Sequence, residues 1–246
     1  MCNICERDRV LGRRGFLGLG AAGLAAMALG AGAASAAGGA TTSLTADQAL
    51  GRLKAGNARF VAAPDLCIGD LTASRTKVAM SQAPWATIVS CADSRVAPEL
   101  LFGGVSAGEL FVARNAGNTA DTVTMGTIEY GAAVLGVPLI VVLGHERCGA
   151  AAAACDIVTK GAKFPGSIGP MVKDIVPSAR AVMKQPGDFV DNTIRENALR
   201  TAGRIATQSK IVAGLVKSGK VKVVAARYDL DDGKVEFLVD RGKLVA

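Results

Sequence analysis

Short unbroken apolar runs alternate along this chain with longer stretches whose apolar positions recur every three or four residues. The runs are Trp85–Ser90, Leu110–Arg114, Pro138–Gly144 and Val221–Arg227. Runs of this length without polar alternation predict strands covered on both faces, as in parallel sheets. The longer stretches predict helices. Thr45 is a fitting N-cap, and Gln48 three residues on completes a capping box, so the first helix starts there and runs to about Ala62. Further helices are expected over Thr72–Met80, over a short turn at Pro98–Phe102 closed by Gly103-Gly104, and over Thr122–Leu135. Others begin at Cys148 or Gly149 and cover about Pro170–Lys184 and Asn192–Lys217. Loops are expected at Pro64–Gly69 and over 159–170, where Gly and Pro cluster. Asp231-Asp232-Gly233 is a turn signal, with Lys234–Val239 returning as an antiparallel edge strand. Strands alternating with helices predict one α/β domain with a mostly parallel central sheet flanked by helices.

The first 36 residues break this pattern. Arg13-Arg14-Gly15-Phe16-Leu17 is a twin-arginine pattern, and a Gly- and Ala-rich apolar run follows to about Ala34. Gly and Ala dilute that run below the hydrophobicity of a membrane anchor, and Ala34-Ser35-Ala36 is a small-x-small cleavage site. Residues 1–36 therefore read as a twin-arginine-type signal peptide, 37–44 as a small-residue linker, and 45–246 as the folded domain. That reading implies export to the periplasm or another extracytoplasmic space, with no membrane span left after cleavage.

Composition narrows the function. Half the residues are apolar and a fifth are charged, enough for a sizeable core. The net charge is +7, but the basic residues are scattered and aromatics are few, so nothing points to nucleic acid. Six cysteines in 246 residues are too sparse for a disulfide scaffold. Cys2 and Cys5 lie in the leader, and Cys67 and Cys155 read as unpaired packing residues, with a bridge between them left open.

The chemistry gathers at two strand ends. Cys91-Ala92-Asp93-Ser94-Arg95 follows the first predicted strand. Gly144-His145-Glu146-Arg147-Cys148 follows the third and holds the only histidine. Ligands of open parallel sheets bind outside the carboxyl ends of strands. If these strands are neighbours, Cys91, His145 and Cys148 meet around one ion. Two thiolates and an imidazole suit Zn²⁺, and three protein ligands leave the fourth position open, as in catalytic sites. Asp93 can be read as a fourth ligand, a surface charge or a hydrogen-bond acceptor beside the metal. Arg95 is placed to hold it ionised and oriented.

These two motifs resemble the zinc motifs of the β-class carbonic anhydrases. The resemblance extends through Gly108–Asn118, Ile128-Glu129-Tyr130 and Tyr228-Asp229-Leu230, covering roughly residues 45–240. It implies one Zn²⁺ per subunit on Cys91, His145 and Cys148, an Asp93–Arg95 dyad, and reversible hydration of CO₂ to bicarbonate and a proton. It also implies a homodimer or homotetramer whose substrate pocket, at a subunit interface, includes Gln82, Phe111 and Tyr130. For Phe111 and Tyr130, ordinary core packing is the competing reading. Gln82 favours the constitutively open form of the site over the form in which the aspartate swings onto zinc. Two positions depart from the family's habit: Ala116 where Val is frequent, and Glu146 where Ser is common. No second histidine exists to relay the proton. A hydrolase of COS or CS₂ on the same fold would keep these residues, and a non-catalytic zinc or redox protein would have little use for Arg95.

Overall fold

The computed structural model describes residues 41–63, 75–76, 78–240 and 243–244. The leader with Cys2 and Cys5, the cleavage site, residues 37–40 of the linker, the loop expected at Pro64–Gly69 with Cys67, and residues 72–74 and 77 of the helix expected over 72–80 lie outside the described residues. The first helix, α1 (Ala46–Ala62), begins with the capping box read from the sequence: the Thr45 side chain accepts from Gln48 N, and the Gln48 side chain accepts from Thr45 N. After it come β1 (Ala86–Cys91), α2 (Pro98–Leu101), β2 (Leu110–Asn115), α3 (Thr122–Ala133) and β3 (Leu139–His145). The chain continues through α4 (Gly149–Lys160), α5 (Ile168–Lys173), α6 (Val176–Val182), α7 (Phe189–Gln208) and α8 (Lys210–Lys217). It ends in β4 (Lys222–Tyr228), β5 (Val235–Asp240) and β6 (Lys243–Leu244).

The strand order is β2-β1-β3-β4-β5-β6. The pairs β1–β2, β1–β3 and β3–β4 are parallel, and β4–β5 and β5–β6 are antiparallel. Every residue of β1 and β3 is buried, which is why these segments carry no polar alternation. Their side chains divide by parity. Ile88, Leu139, Val141 and Leu143 pack with Leu50 and Leu53 of α1 on one face. Val89, Ile140 and Val142 pack with Ile128 of α3 and Ala198, Ala202 and Ile205 of α7 on the other. The result is the three-layer α/β arrangement expected from the sequence.

Four features differ from expectation. The helix expected over Pro170–Lys184 is two helices, α5 and α6. Pro177 sits in the first turn of α6, where its missing N–H costs nothing but where it cannot extend α5. The last long helix starts at Phe189, not Asn192, because Asp188 caps it by accepting from Asp191 N. It also breaks at Ser209, whose backbone is extended and whose hydroxyl caps α8 by accepting from Val212 N. Finally, β5 is not the outermost strand, since β6 pairs along its far side. Among the described residues, no helix is long and apolar enough to cross a membrane.

Candidate metal centre

β1 is followed by β2 on one side, and the chain then crosses over to place β3 on the other side of β1. The carboxyl ends of β1 and β3 therefore flank the point where strand addition reverses, the place where an open α/β sheet leaves a crevice. Cys91 is the last residue of β1 and His145 the last of β3, one position earlier than the sequence suggested. Beyond His145 the chain must turn sharply to bring a second ligand back. Arg147 does this in the left-handed conformation, φ +52°, which is unfavourable for a residue with a Cβ. Its guanidinium donates to both carboxylate oxygens of Asp231 at 2.9 and 2.7 Å, which holds the turn. Cys148 then becomes the N-cap of α4, where unpaired main-chain N–H groups favour negative charge on sulfur.

The result is three buried donors, Cys91, His145 and Cys148, whose ligand atoms all lie within 4.8 Å of one another. The imidazole shows which nitrogen faces the cluster. Nδ1 lies 2.9 Å from the main-chain oxygen of Glu146, which can only accept, so Nδ1 carries the proton. Nε2 is left with its lone pair, fully buried and without a hydrogen-bond partner. A buried acceptor left unsatisfied is costly, and a cation between it and the two sulfurs removes the cost. Two sulfurs and one imidazole nitrogen form a donor set suited to zinc. The residues therefore fit the metal that the motifs imply.

The sulfurs share a proton. A hydrogen bond from the Cys148 thiol, opposed by burial, holds the Cys91 thiol down at about 4, with help from the Gly117 N–H. Donation to Cys91, together with burial, pushes the Cys148 thiol well above its ordinary value. The Gly117 N–H donates to Cys91 Sγ at 3.4 Å.

Asp93 is not part of the donor cluster. Arg95 donates to it through Nε at 2.9 Å and Nη2 at 2.7 Å, and through its main-chain N–H at 3.0 Å. This guanidinium, more than any other group, holds the Asp93 carboxyl well below the usual carboxylate range. Asp93 Oδ2 still stands 3.8 Å from His145 Nε2, beside the position the ion would take. Of the three readings of Asp93, an oriented and ionised acceptor is the one that the geometry supports.

Gln82, Phe111 and Tyr130 are not brought to this cluster. Phe111 and Tyr130 face each other, ring centroids 6.2 Å apart, on β2 and α3. Phe111 pairs with Thr87, whereas Cys91 pairs with Asn115 four residues further along β2, a rise of about 13 Å. Gln82 precedes the amino end of β1, and Cys91 closes its carboxyl end. Nor are the aromatics core residues: Tyr130 is 39% exposed and Phe111 is half-buried.

Sequence reasoning passed over Arg114, which supports the centre from β2. Its Nε donates to the Cys91 carbonyl at 2.9 Å and its Nη2 to the Asp93 carbonyl at 2.7 Å, clamping the segment that carries both residues. The signal for it was present: a long cation at the end of an apolar strand needs acceptors, and the neighbouring strand end supplies them.

A family model described as carbonic anhydrase matches residues 86–235. A carbonic anhydrase of Mycolicibacterium smegmatis is 37% identical over 185 residues, spanning 75% of this chain and 89% of the relative. Carbonic anhydrase 2 of Mycobacterium tuberculosis is 36% identical over 182 residues, spanning 74% and 87%. Among solved structures, a Coccomyxa β-carbonic anhydrase in complex with acetazolamide superposes with a TM-score of 0.59 at 28% identity, covering 69% of this chain and 78% of that one.

An ion entering the centre must displace the proton that Cys148 keeps through neutral pH. Zinc affinity is therefore expected to rise with pH between about 6 and 8, close to tenfold per unit for each proton displaced. Competition against a chelator of known proton dependence measures this. An affinity flat across that range would mean that the thiols are not ligands.

Proposed function

The chain belongs to the carbonic anhydrase family, of the β class, and from that premise we propose that Cys91, His145 and Cys148 hold one Zn²⁺ per subunit and that Asp93 and Arg95 orient the reacting groups around it. The enzyme catalyses reversible hydration of carbon dioxide to bicarbonate and a proton. The observation that carries the site assignment is the buried, unpartnered His145 Nε2 facing two cysteine sulfurs at a sheet switch point. Zinc, when bound, supplies the Lewis acid that activates water for attack on the carbon of CO₂.

The chain's own part is orientation and charge. Arg95 occupies both oxygens of Asp93, which fixes the carboxylate plane and keeps it ionised. An ionised Asp93 accepts a hydrogen bond from the nucleophile and aims the remaining lone pair at the substrate. Because its carboxyl lies so far below the usual range, Asp93 does not store a proton at neutral pH. The sole histidine is committed to the metal through Nε2 and to Glu146 through Nδ1, so it does not relay a proton either. The proton released in each turnover therefore passes to solvent buffer without a histidine relay.

The pocket is completed by a second copy of the chain. This reading is supported by β2, an edge strand with half-buried Leu110, Phe111 and Val112, and by the apolar outer face of α3 and the residue after it. Val123, Tyr130 and Val134 are exposed there, the two valines at 78% and 45%. Burying this face between two subunits would bring one subunit's Gln82, Phe111 and Tyr130 to the other's zinc. We also propose export of the folded, metal-loaded protein, on the strength of Arg13-Arg14 and the Ala34-Ser35-Ala36 cleavage site. N-terminal sequencing of the exported protein is then expected to start at Ala37, and an intact Met1 in that fraction would overturn the cleavage.

Stopped-flow CO₂ hydration by the zinc-loaded mature protein tests the activity. Asp93→Asn and Arg95→Leu are expected to lower kcat/KM roughly 10–100-fold while zinc content stays at one per chain. Full activity in both variants, or turnover of CS₂ but not CO₂ by the unaltered protein, would refute the mechanism. Val123→Glu is expected to shift the protein to monomers in light scattering and to lower hydration activity with it. A Val123→Glu variant that stays oligomeric and fully active would place the interface elsewhere.

A further inference from the structure

Asn197 lies on the face of α7 that packs against the sheet, beside Ala198, and is 4% exposed. An amide on an apolar helix face costs stability unless it is hydrogen-bonded. Its Nδ2 donates to the main-chain oxygen of Gly117 at 2.9 Å, in a fully buried contact. The N–H of that same glycine donates to Cys91 Sγ. One residue of the 115–119 loop thus connects α7 to a metal-site sulfur.

The loop does not hold this geometry by itself. Gly117 and Asn118 are both left-handed, at φ +87° and +46°. Internal bonds tie the loop's ends, with Asn115 bonding the main chain of Thr119 through Oδ1 and Nδ2. Asn118 N reaches the Asn115 carbonyl at a long 3.4 Å, and its own buried Nδ2 has no partner. A larger residue at position 117 would be strained at φ +87° and would force Ile175 to shift, since a Cβ there would lie 2.4 Å from Ile175 Cδ1. The centre of the loop is anchored from outside, by Asn197.

A main-chain N–H aimed at a thiolate disperses the sulfur's charge. It thereby favours the ionised form and limits how much charge the sulfur passes to a bound ion. We propose that Asn197 is a positioning residue of the metal centre: through Gly117 it aims a main-chain N–H at the Cys91 sulfur and so sets how tightly, and with how much charge, that sulfur binds zinc. The proposal rests on reading Cys91, His145 and Cys148 as the zinc site. It adds a group that touches neither metal nor substrate.

The test compares the full chain with Asn197→Ala and Asn197→Leu, the second of which fills most of the amide's volume if the first does not fold. Zinc affinity is measured by competition with a chromophoric chelator, and the visible spectrum is recorded with cobalt(II) in place of zinc. Both variants are expected to bind zinc about 10–100-fold more weakly. Their sulfur-to-cobalt charge-transfer bands are expected at lower energy, because a sulfur without its hydrogen bond donates more charge. Thr193→Val is the control: Thr193 is buried one turn earlier on α7 and its hydroxyl, among the described residues, bonds Phe189 O and Cys155, so the variant loses stability without touching the loop. It is expected to keep both affinity and spectrum. Asn197 variants that match the unaltered protein in both readouts overturn the proposal, as does an equal loss in Thr193→Val. An unaltered protein that takes up neither ion would remove the metal-site reading, and this proposal falls with it.

Discussion

Three donors that want a positive charge are buried where water cannot supply one. The His145 Nε2 lone pair and the sulfurs of Cys91 and Cys148 lie within 4.8 Å of one another, and all three residues are at most 5% exposed. Without a cation, the sulfurs share a proton and the imidazole lone pair goes unsatisfied. Much of the surrounding fold tolerates this arrangement and keeps it in shape. β1 and β3 pair directly, so their ends cannot drift apart. The left-handed turn at Arg147 brings Cys148 back to the cluster. Ile194 of α7 packs beneath with Ala151, and Gly144 lets α7 come this close: a Cβ on it would lie 3.0 Å from Ile194 Cγ2.

Charge around the centre is arranged to orient rather than to titrate. Arg95 spends its fork on Asp93, and Arg114 spends its own on the two carbonyls that frame Ala92. Arg227 is nearly buried and is neutralised by Asp191 and Asp229 at 2.6 and 2.8 Å. Glu146, next to the metal histidine, turns its carboxylate away, where it accepts from Leu230 N at 3.1 Å. One familiar means of moving a proton at neutral pH, a free histidine, is thus not built into the described residues of the site. Fast turnover with these groups requires buffer to reach the mouth of the site.

Much of this was legible in the sequence because the rules involved are local. Unbroken apolar runs mark buried parallel strands, and a sole histidine and a cysteine placed at strand ends mark a crevice. The capping box at Thr45 and Gln48 was readable to the residue. The breaks at Pro177 and Ser209 were harder, since apolar spacing runs through both and only the missing donor and the capping hydroxyl decide. Asn197 was illegible for a different reason. Its role depends on a glycine 80 residues away, and no periodicity carries that pairing. A polar residue on the apolar face of a predicted helix is the only trace such a contact leaves.

The aromatic pair makes the remaining point about what a single chain can hold. Phe111 and Tyr130 contact each other but belong to a surface, on an edge strand and a helix whose outer side is apolar. An exposed edge strand with half-buried hydrophobics invites pairing, and soluble proteins usually cover or charge such an edge. Here its one charge, Arg114, is spent on the carbonyls of Cys91 and Asp93, and among the described residues no strand pairs along its far side. The same residues are about 13 Å along the strand from the level of Cys91, too far to shape a pocket for a molecule as small as CO₂ at their own chain's metal site. The proposed assembly answers both facts: a second copy would cover the edge, and each subunit's aromatics would wall the other's site. The stability of that dimer and the shape of the substrate pocket would then depend on the same apolar surface. A substitution there would alter assembly and turnover together, whereas one at Asn197 or Arg114 would alter the metal centre within each subunit.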